Sequence, residues 1–70
     1  MIVLGIDPGL QITGYGVVDD DNLSLVEAGV VRTVSGMAVQ DRIVRIFDEI
    51  SKVVEEHRPG VLVLEKIYSH

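Results

Sequence analysis

The sequence predicts a small α/β domain: an antiparallel three-strand meander, one helix, and a final strand that runs parallel to the first strand. Three observations predict this class. Short apolar runs between turn residues fill the first half of the chain, an apolar repeat of three and four residues follows, and the run VLVL comes last. Because the chain has 70 residues, it can form one domain, which buries about 60% of its unfolded surface.

The first two strands are apolar runs that end in turn residues. The run IVLGID, residues 2–7, is closed by a Pro-Gly turn, and the run ITGYGVVD occupies residues 12–19. Gly14 and Gly16 in the second run are two residues apart, so a strand places them on the same face. Glycine inside a strand often marks a close approach by a ligand or another backbone, so both positions are candidates for ligand contact.

An acidic tip, DDDN at residues 19–22, joins the second strand to a third strand at about residues 23–33. Its aspartates raise the possibility of a calcium-binding loop. Such a loop needs oxygen ligands at alternate positions, then a glycine and a distant glutamate. Leu23 stands where a ligand is required, so we interpret the tip as a solvated turn.

One amphipathic helix is predicted at residues 38–57, where the apolar period changes to three and four residues. Its apolar face comprises Ile43, Ile46, Phe47, Ile50, Val53 and Val54. Two opposite-charge pairs are expected on its solvent side, Asp41 with Arg45 and Asp48 with Lys52. A Pro-Gly pair ends the helix, and we interpret the preceding EEHR run as a solvated helix end in which His57 is not a ligand.

The last strand, VLVLE at residues 61–65, has no polar alternation and is therefore expected to be covered on both faces, as in a parallel sheet. The helix before it allows a right-handed crossover that places it beside the first strand. One helix covers one face of these apolar strands, and exposure of the other face would cost roughly 25 cal/mol per Å². We therefore expect the chain to be the front portion of a larger α/β domain.

Asp7 and Glu65 each close an apolar strand, and parallel pairing of those strands brings them to the same edge of the sheet. Open α/β sheets bind ligands at this edge. Two close carboxylates repel each other unless a cation lies between them, and Mg²⁺ favours such oxygen ligands. A pair of ions could then activate water and stabilise a leaving oxygen. Taken singly, each acid is also explained as a turn former or a strand terminator, so both interpretations stay open here.

Composition excludes several classes of protein. The chain has no cysteine, which rules out disulfides and thiolate zinc sites and is compatible with a cytoplasmic location. The N-terminal MIVLGID lacks a basic segment and its apolar run is broken at Gly5 and Asp7, so it is expected to be neither a signal peptide nor a membrane span. The net charge of −5 argues, taken alone, against a nucleic-acid partner.

The segments GIDPG and TGYGV, the hairpin, the helix and the final VLVLEKIY resemble the RuvC family of Holliday-junction resolvases, from Ile2 to Tyr68. The resemblance implies a ribonuclease H-like fold. It also implies a structure-selective endonuclease that resolves four-way DNA junctions, in recombination and repair, by metal-dependent phosphodiester hydrolysis.

The resemblance assigns roles to individual positions. Asp7 and Glu65 correspond to catalytic acids that bind Mg²⁺, for which Mn²⁺ would substitute. Tyr68 stands where the family places an aromatic residue near the junction, and stacking on an unpaired base would suit it. Lys66 could contact a phosphate, and the two strand glycines named above would let the DNA backbone approach.

Members of the family are longer than this chain, and further acidic ligands come from a later helix. We therefore expect residues 1–70 to form a single ribonuclease H-like domain that is truncated at its C-terminal side and has little or no activity alone. The implied partners are four-way junction DNA, a second copy in a homodimer and branch-migration machinery, with no membrane. Basic DNA contacts outside this segment would reconcile the acidic charge with a DNA substrate.

Two other functions fit parts of the sequence. Nucleotide-binding modules of the actin and sugar-kinase type share this strand order and carry an Asp-x-Gly turn. Here, however, Leu10 replaces the hydroxyl residue that usually follows that turn, and Pro8 lies inside it. A non-enzymatic interaction domain would instead use the open face of the last strand to bind a protein partner.

Overall fold

The computed structural model describes residues 1–65 and contains one four-stranded mixed sheet with a single helix on one face. The elements are β1 (Ile2–Asp7), β2 (Ile12–Asp19), β3 (Ser24–Arg32), α1 (Val39–His57) and β4 (Val61–Leu64). The strand order is β3-β2-β1-β4, and only β1 and β4 are parallel. The predicted meander, helix and returning parallel strand are therefore confirmed. Within these residues, no helix is long and apolar enough to cross a membrane.

The two faces of the sheet differ in what they carry. The core between α1 and the sheet consists of Leu4, Ile6 and Val17 from the strands and Val53 from the helix, all buried. Because side chains alternate along a strand, the odd-numbered residues of β1, which include Gly5 and Asp7, lie on the opposite face. We call that opposite side of the sheet the open face.

Strand β4 is exposed on both faces, which differs from the cover that its sequence predicts. Leu64 shares its register with the buried Ile6, yet its exposed fraction is 65%. Val53 of α1 packs on core residues of β1 and β2, and Arg45 contacts β3, whereas all four residues of β4 are exposed. One helix is narrower than a sheet of four strands, so it cannot cover them all. A cleft of about 600 Å³ lies between α1 and the carboxyl end of β1, lined by Ile6 and by helix residues that include Ile43 and Phe47.

The charged side chains of α1 make contacts other than those the spacing predicts. Within residues 1–65, neither predicted pair four residues apart forms a salt bridge. Lys52 Nζ instead lies 3.3 Å from Glu49 Oε1, and Arg45 Nε donates to the Arg32 carbonyl at 2.7 Å. Arg45 therefore ties the helix to the end of β3, a contact that only the folded arrangement makes available.

The carboxyl end of α1 is attached to the sheet through partly buried polar side chains. His57 Nε2 lies 2.9 Å from Glu27 Oε1, and the Tyr15 hydroxyl donates to Glu27 Oε2 at 2.8 Å. Tyr15 lies opposite Gly29 on β3, where a Cβ atom would come within 2.6 Å of the Tyr15 hydroxyl oxygen. The prediction of a solvated helix end is wrong for His57, whose side chain is only 15% exposed.

The acidic tip between β2 and β3 is a solvent-exposed turn, as predicted. The α-ammonium group of Met1 lies 2.6 Å from Asp20 Oδ1 and 3.1 Å from Asp21 Oδ2. Hydrogen bonding to Asp20, and then to Asp21, raises the pKa of this amine to about 10. The positive α-ammonium group of Met1 thus partly neutralises the acidic tip.

We predict that Leu4→Ala destabilises the fold by about 2–5 kcal/mol, since it removes a fully buried side chain from a core of few residues. Leu25→Ala is the matched control because its side chain is two-thirds exposed, and we expect a change within about 0.5 kcal/mol. Urea unfolding followed by circular dichroism measures both. Equal losses in the two variants would contradict the assignment of the core.

A second prediction concerns acid stability. Hydrogen bonds from His57, and then from Tyr15, hold the pKa of Glu27 below its ordinary value of 4.5. A carboxylate with a lowered pKa stabilises the fold above that ordinary value, and the stabilisation is lost as the pH falls through the folded-state pKa. The wild type should therefore lose more stability between about pH 5 and pH 3 than Glu27→Gln does. Parallel pH profiles of the urea midpoint would contradict the contact.

Candidate active site at the carboxyl ends of β1 and β4

Asp7 and Glu65 lie next to each other where two parallel strands end. The register pairs Ile6 with Leu64, and the Glu65 N–H donates to the Ile6 carbonyl at 2.9 Å. Continuing that register by one residue puts Glu65 beside Asp7, with both side chains on the open face. Both residues are exposed and line one depression of about 300 Å³.

Glycine backbone forms the floor of this depression. The antiparallel register pairs Asp7 with Gly14 and Gly5 with Gly16, so three glycines lie beside the carboxylates. A Cβ atom on Gly14 would lie 4.0 Å from the Asp7 Cβ, and one on Gly16 would meet nothing within 4 Å. The fold itself therefore does not require glycine at these two positions. Their effect is to leave space above the backbone for a ligand.

The turn that follows Asp7 is held in place from within. The buried Thr13 hydroxyl donates to the Gly9 carbonyl at 2.7 Å and accepts the Gly9 N–H at 3.2 Å. A Cβ atom on Gly9 would lie 2.4 Å from the Ile12 carbonyl oxygen, so the turn requires glycine there. These two residues fix the end of β1 and hence the position of Asp7.

The Pro-Gly signal in the sequence predicts a turn at Gly9, but nothing in the sequence analysis gave a role to Thr13. The available signal was a threonine placed four residues after a turn glycine, since such hydroxyls commonly bond nearby backbone groups. Its burial became apparent only with the alternation of β2, which puts Thr13 on the same face as the core residue Val17.

The depression is a negatively charged surface with room for a cation. Among residues 1–65, neither Asp7 nor Glu65 forms a salt bridge with a Lys or Arg side chain. Two exposed carboxylates are hard oxygen ligands of the kind that Mg²⁺ and Mn²⁺ accept, with water and substrate phosphate completing the coordination. In the described part of the chain, no third His or acidic side chain joins them. The two carboxylates therefore suit a divalent ion but supply only some of the ligands that it needs.

The structure describes two of the four other predicted site residues. Gly14 and Gly16 lie in the depression with the two acids. Lys66 and Tyr68, the predicted phosphate and base contacts, lie outside the described residues. The roles of all six residues stay predictions.

Comparison with known proteins identifies the family. The family profile described as "Crossover junction endodeoxyribonuclease RuvC" matches residues 3–70. The chain is 39% identical to the protein of that name from Dictyoglomus turgidum, over 97% of this chain and 44% of the relative. It is 46% identical to the one from Prosthecochloris aestuarii, over 97% of this chain and 37% of the relative.

Solved structures agree with the sequence relatives. RuvC of T. thermophilus in complex with a Holliday junction substrate superposes with a TM-score of 0.88 at 30% identity, covering 100% of this chain and 45% of that one. A second structure of Thermus thermophilus RuvC gives a TM-score of 0.84 at 31% identity. The chain thus spans less than half the length of the proteins it matches.

The described strands and helix have the ribonuclease H-like arrangement of these neighbours. The chain belongs to the RuvC family of crossover junction endodeoxyribonucleases.

Proposed function

We propose that this chain contributes to the resolution of four-way DNA junctions by metal-dependent phosphodiester hydrolysis. One observation carries the proposal: Asp7 and Glu65 line a single depression whose floor is glycine backbone. Family membership supports a nuclease activity, and the relatives carry the name of crossover junction endodeoxyribonucleases.

In this proposal Asp7 and Glu65 are the catalytic acids that hold Mg²⁺, with Mn²⁺ as a substitute. When bound, the metal would activate a water nucleophile and stabilise the departing oxygen. The chain's own part is to hold the two carboxylates at a fixed separation, through the β1–β4 register and the Thr13–Gly9 turn. The two carboxylates also concentrate negative charge, so a phosphodiester can approach only together with a cation.

The glycine floor suits the approach of a DNA backbone. No side chain rises from Gly14 or Gly16 beside Asp7, so a phosphate group could reach the carboxylates from the open face. We further propose that Tyr68 stacks on an unpaired base and that Lys66 contacts a phosphate. The net charge of −5 implies that most cationic DNA contacts come from elsewhere in the active assembly.

The same proposal extends to partners and organisation. Residues 1–70 would form one ribonuclease H-like domain that acts as a homodimer on four-way junction DNA, together with branch-migration machinery in the cytoplasm. The T. thermophilus relative has been solved in complex with a Holliday junction substrate. A junction substrate for this chain rests on that likeness.

We predict weak binding of Mn²⁺ by this chain at the depression. Asp7→Asn and Glu65→Gln should each weaken binding by about tenfold to a hundredfold, since even outer-shell changes have effects of this size at metal sites. Paramagnetic broadening of backbone amide signals measures both affinity and location, and it should centre on Gly14 and Glu65. Asp48→Asn, on the solvent side of α1, is the matched control and should bind as the wild type does. Unchanged binding in Asp7→Asn would contradict the site.

We also predict that the chain alone cleaves a synthetic four-way junction little or not at all in Mg²⁺ or Mn²⁺. Two carboxylates are a partial ligand set, and hydrolysis depends on accurate positioning of the reacting groups. Labelled junction strands separated by electrophoresis measure cleavage, with Asp7→Asn as background. Metal-dependent cutting that Asp7→Asn abolishes would refute the predicted inactivity and support the site. Cutting that survives in Asp7→Asn would contradict the site.

A further inference from the structure

A second group of potential metal ligands lies at the carboxyl end of α1. Glu27 on β3 and the helix residues Glu56 and His57 each place one ligand atom within 4.8 Å of the others. His57 Nε2 lies 2.9 Å from Glu27 Oε1 and 3.8 Å from Glu56 Oε2. We call these three residues the helix-end cluster.

The helix-end cluster is separate from the candidate active site. Glu27 is paired in register with Val17, which is buried beneath α1, so Glu27 lies on the helix-covered face. Asp7 lies on the open face. The sheet therefore stands between the two groups, and neither can share an ion with the other.

We propose that the helix-end cluster binds a divalent transition-metal ion, with Zn²⁺ as the best match. One imidazole nitrogen and two carboxylate oxygens form a ligand set that suits zinc, and water can take a fourth position. Mg²⁺ prefers oxygen ligands alone and keeps several waters, so it should not compete well here. This inference goes beyond the nuclease function and does not depend on it.

The ligand atoms lie within 4.8 Å of one another, near enough to be drawn onto one zinc ion. Bonds of about 2.0–2.1 Å in a tetrahedral site place neighbouring ligand atoms about 3.3 Å apart. The two measured separations, 2.9 and 3.8 Å, lie on either side of that value. The third separation, between the two glutamate oxygens, is at most 4.8 Å, so side-chain adjustments of about 1 Å would place all three atoms around one zinc ion.

A hydrogen bond from Tyr15 orients the Glu27 carboxylate for metal binding. The Tyr15 hydroxyl donates to Glu27 Oε2 at 2.8 Å, which directs Glu27 Oε1 toward His57. Hydrogen bonds of this kind orient the ligands of many metal sites. The Tyr15 ring itself occupies the space left by Gly29, so its hydroxyl has little freedom to move. His57 is also largely shielded from solvent, with 15% of its side chain exposed, whereas Glu56 is 67% exposed.

The charge of the cluster favours a cation. Two glutamates share one imidazole, and within residues 1–65 neither glutamate forms a salt bridge with Lys or Arg. A bound ion would replace the hydrogen bond between His57 and Glu27 and would join α1 to β3 more firmly. Since the three ligands converge only in the folded chain, binding would stabilise the fold.

Calorimetric titration of the chain with zinc chloride tests the proposal, together with thermal unfolding with and without zinc. We expect one equivalent to bind and the melting temperature to rise by several degrees. His57→Gln and Glu56→Gln should each weaken binding by about tenfold or more, and Tyr15→Phe by less, since it removes only an orienting bond. Glu56 is mostly exposed, so Glu56→Gln should fold normally even if His57→Gln does not.

Asp20→Asn, in the acidic tip, is the control for general attraction of cations and should bind zinc as the wild type does. An excess of Mg²⁺ should leave binding unchanged. No measurable binding would overturn the proposal, and so would equal affinity in the wild type and Glu56→Gln. Loss of binding in Asp7→Asn would also overturn it, because zinc would then occupy the candidate active site.

Discussion

The parallel pairing of β1 with β4 is the contact on which the rest of the molecule depends. It brings together two segments separated by the hairpin and the whole of α1, and it continues past the strand ends through the hydrogen bond from the Glu65 N–H to the Ile6 carbonyl. That bond sets Glu65 beside Asp7. A shift of one residue in either strand would turn one carboxylate to the helix-covered face and remove the paired site.

The sheet has two faces with different tasks. The face beneath α1 holds the core residues and also carries the polar contacts that attach the helix end to β2 and β3. The open face holds Asp7, Glu65 and the glycine floor, and β4 is exposed on both sides. The larger size of the matched relatives agrees with a sheet that one helix covers only partly. Leu10 and Pro8 in the turn, together with family membership, disfavour the nucleotide-binding alternative.

Local patterns predicted most of the fold. The bounds of β1 and β2 agree with the apolar runs, and α1 ends at His57 as its period indicates. The predicted ion pairs on α1 do not form, because spacing along a helix does not account for contacts with other elements. Arg45 instead donates a hydrogen bond to the Arg32 carbonyl on β3. The sequence did not predict the burial of Thr13 or the contact between His57 and Glu27 for the same reason. Each depends on which faces of α1 and the sheet pack against each other.

The sequence by itself determined the element order, the two strand-ending acids and the glycine pair, because each follows from alternation, turn residues or position along one segment. Only the tertiary structure decided which face each element presents. It placed Gly5 and Gly16 beside the acids, locked the Asp7 turn through Thr13, and brought His57 to Glu27 across the helix–sheet boundary. These contacts join residues distant in sequence, and their geometry is set by strand register and helix packing, which no single segment encodes.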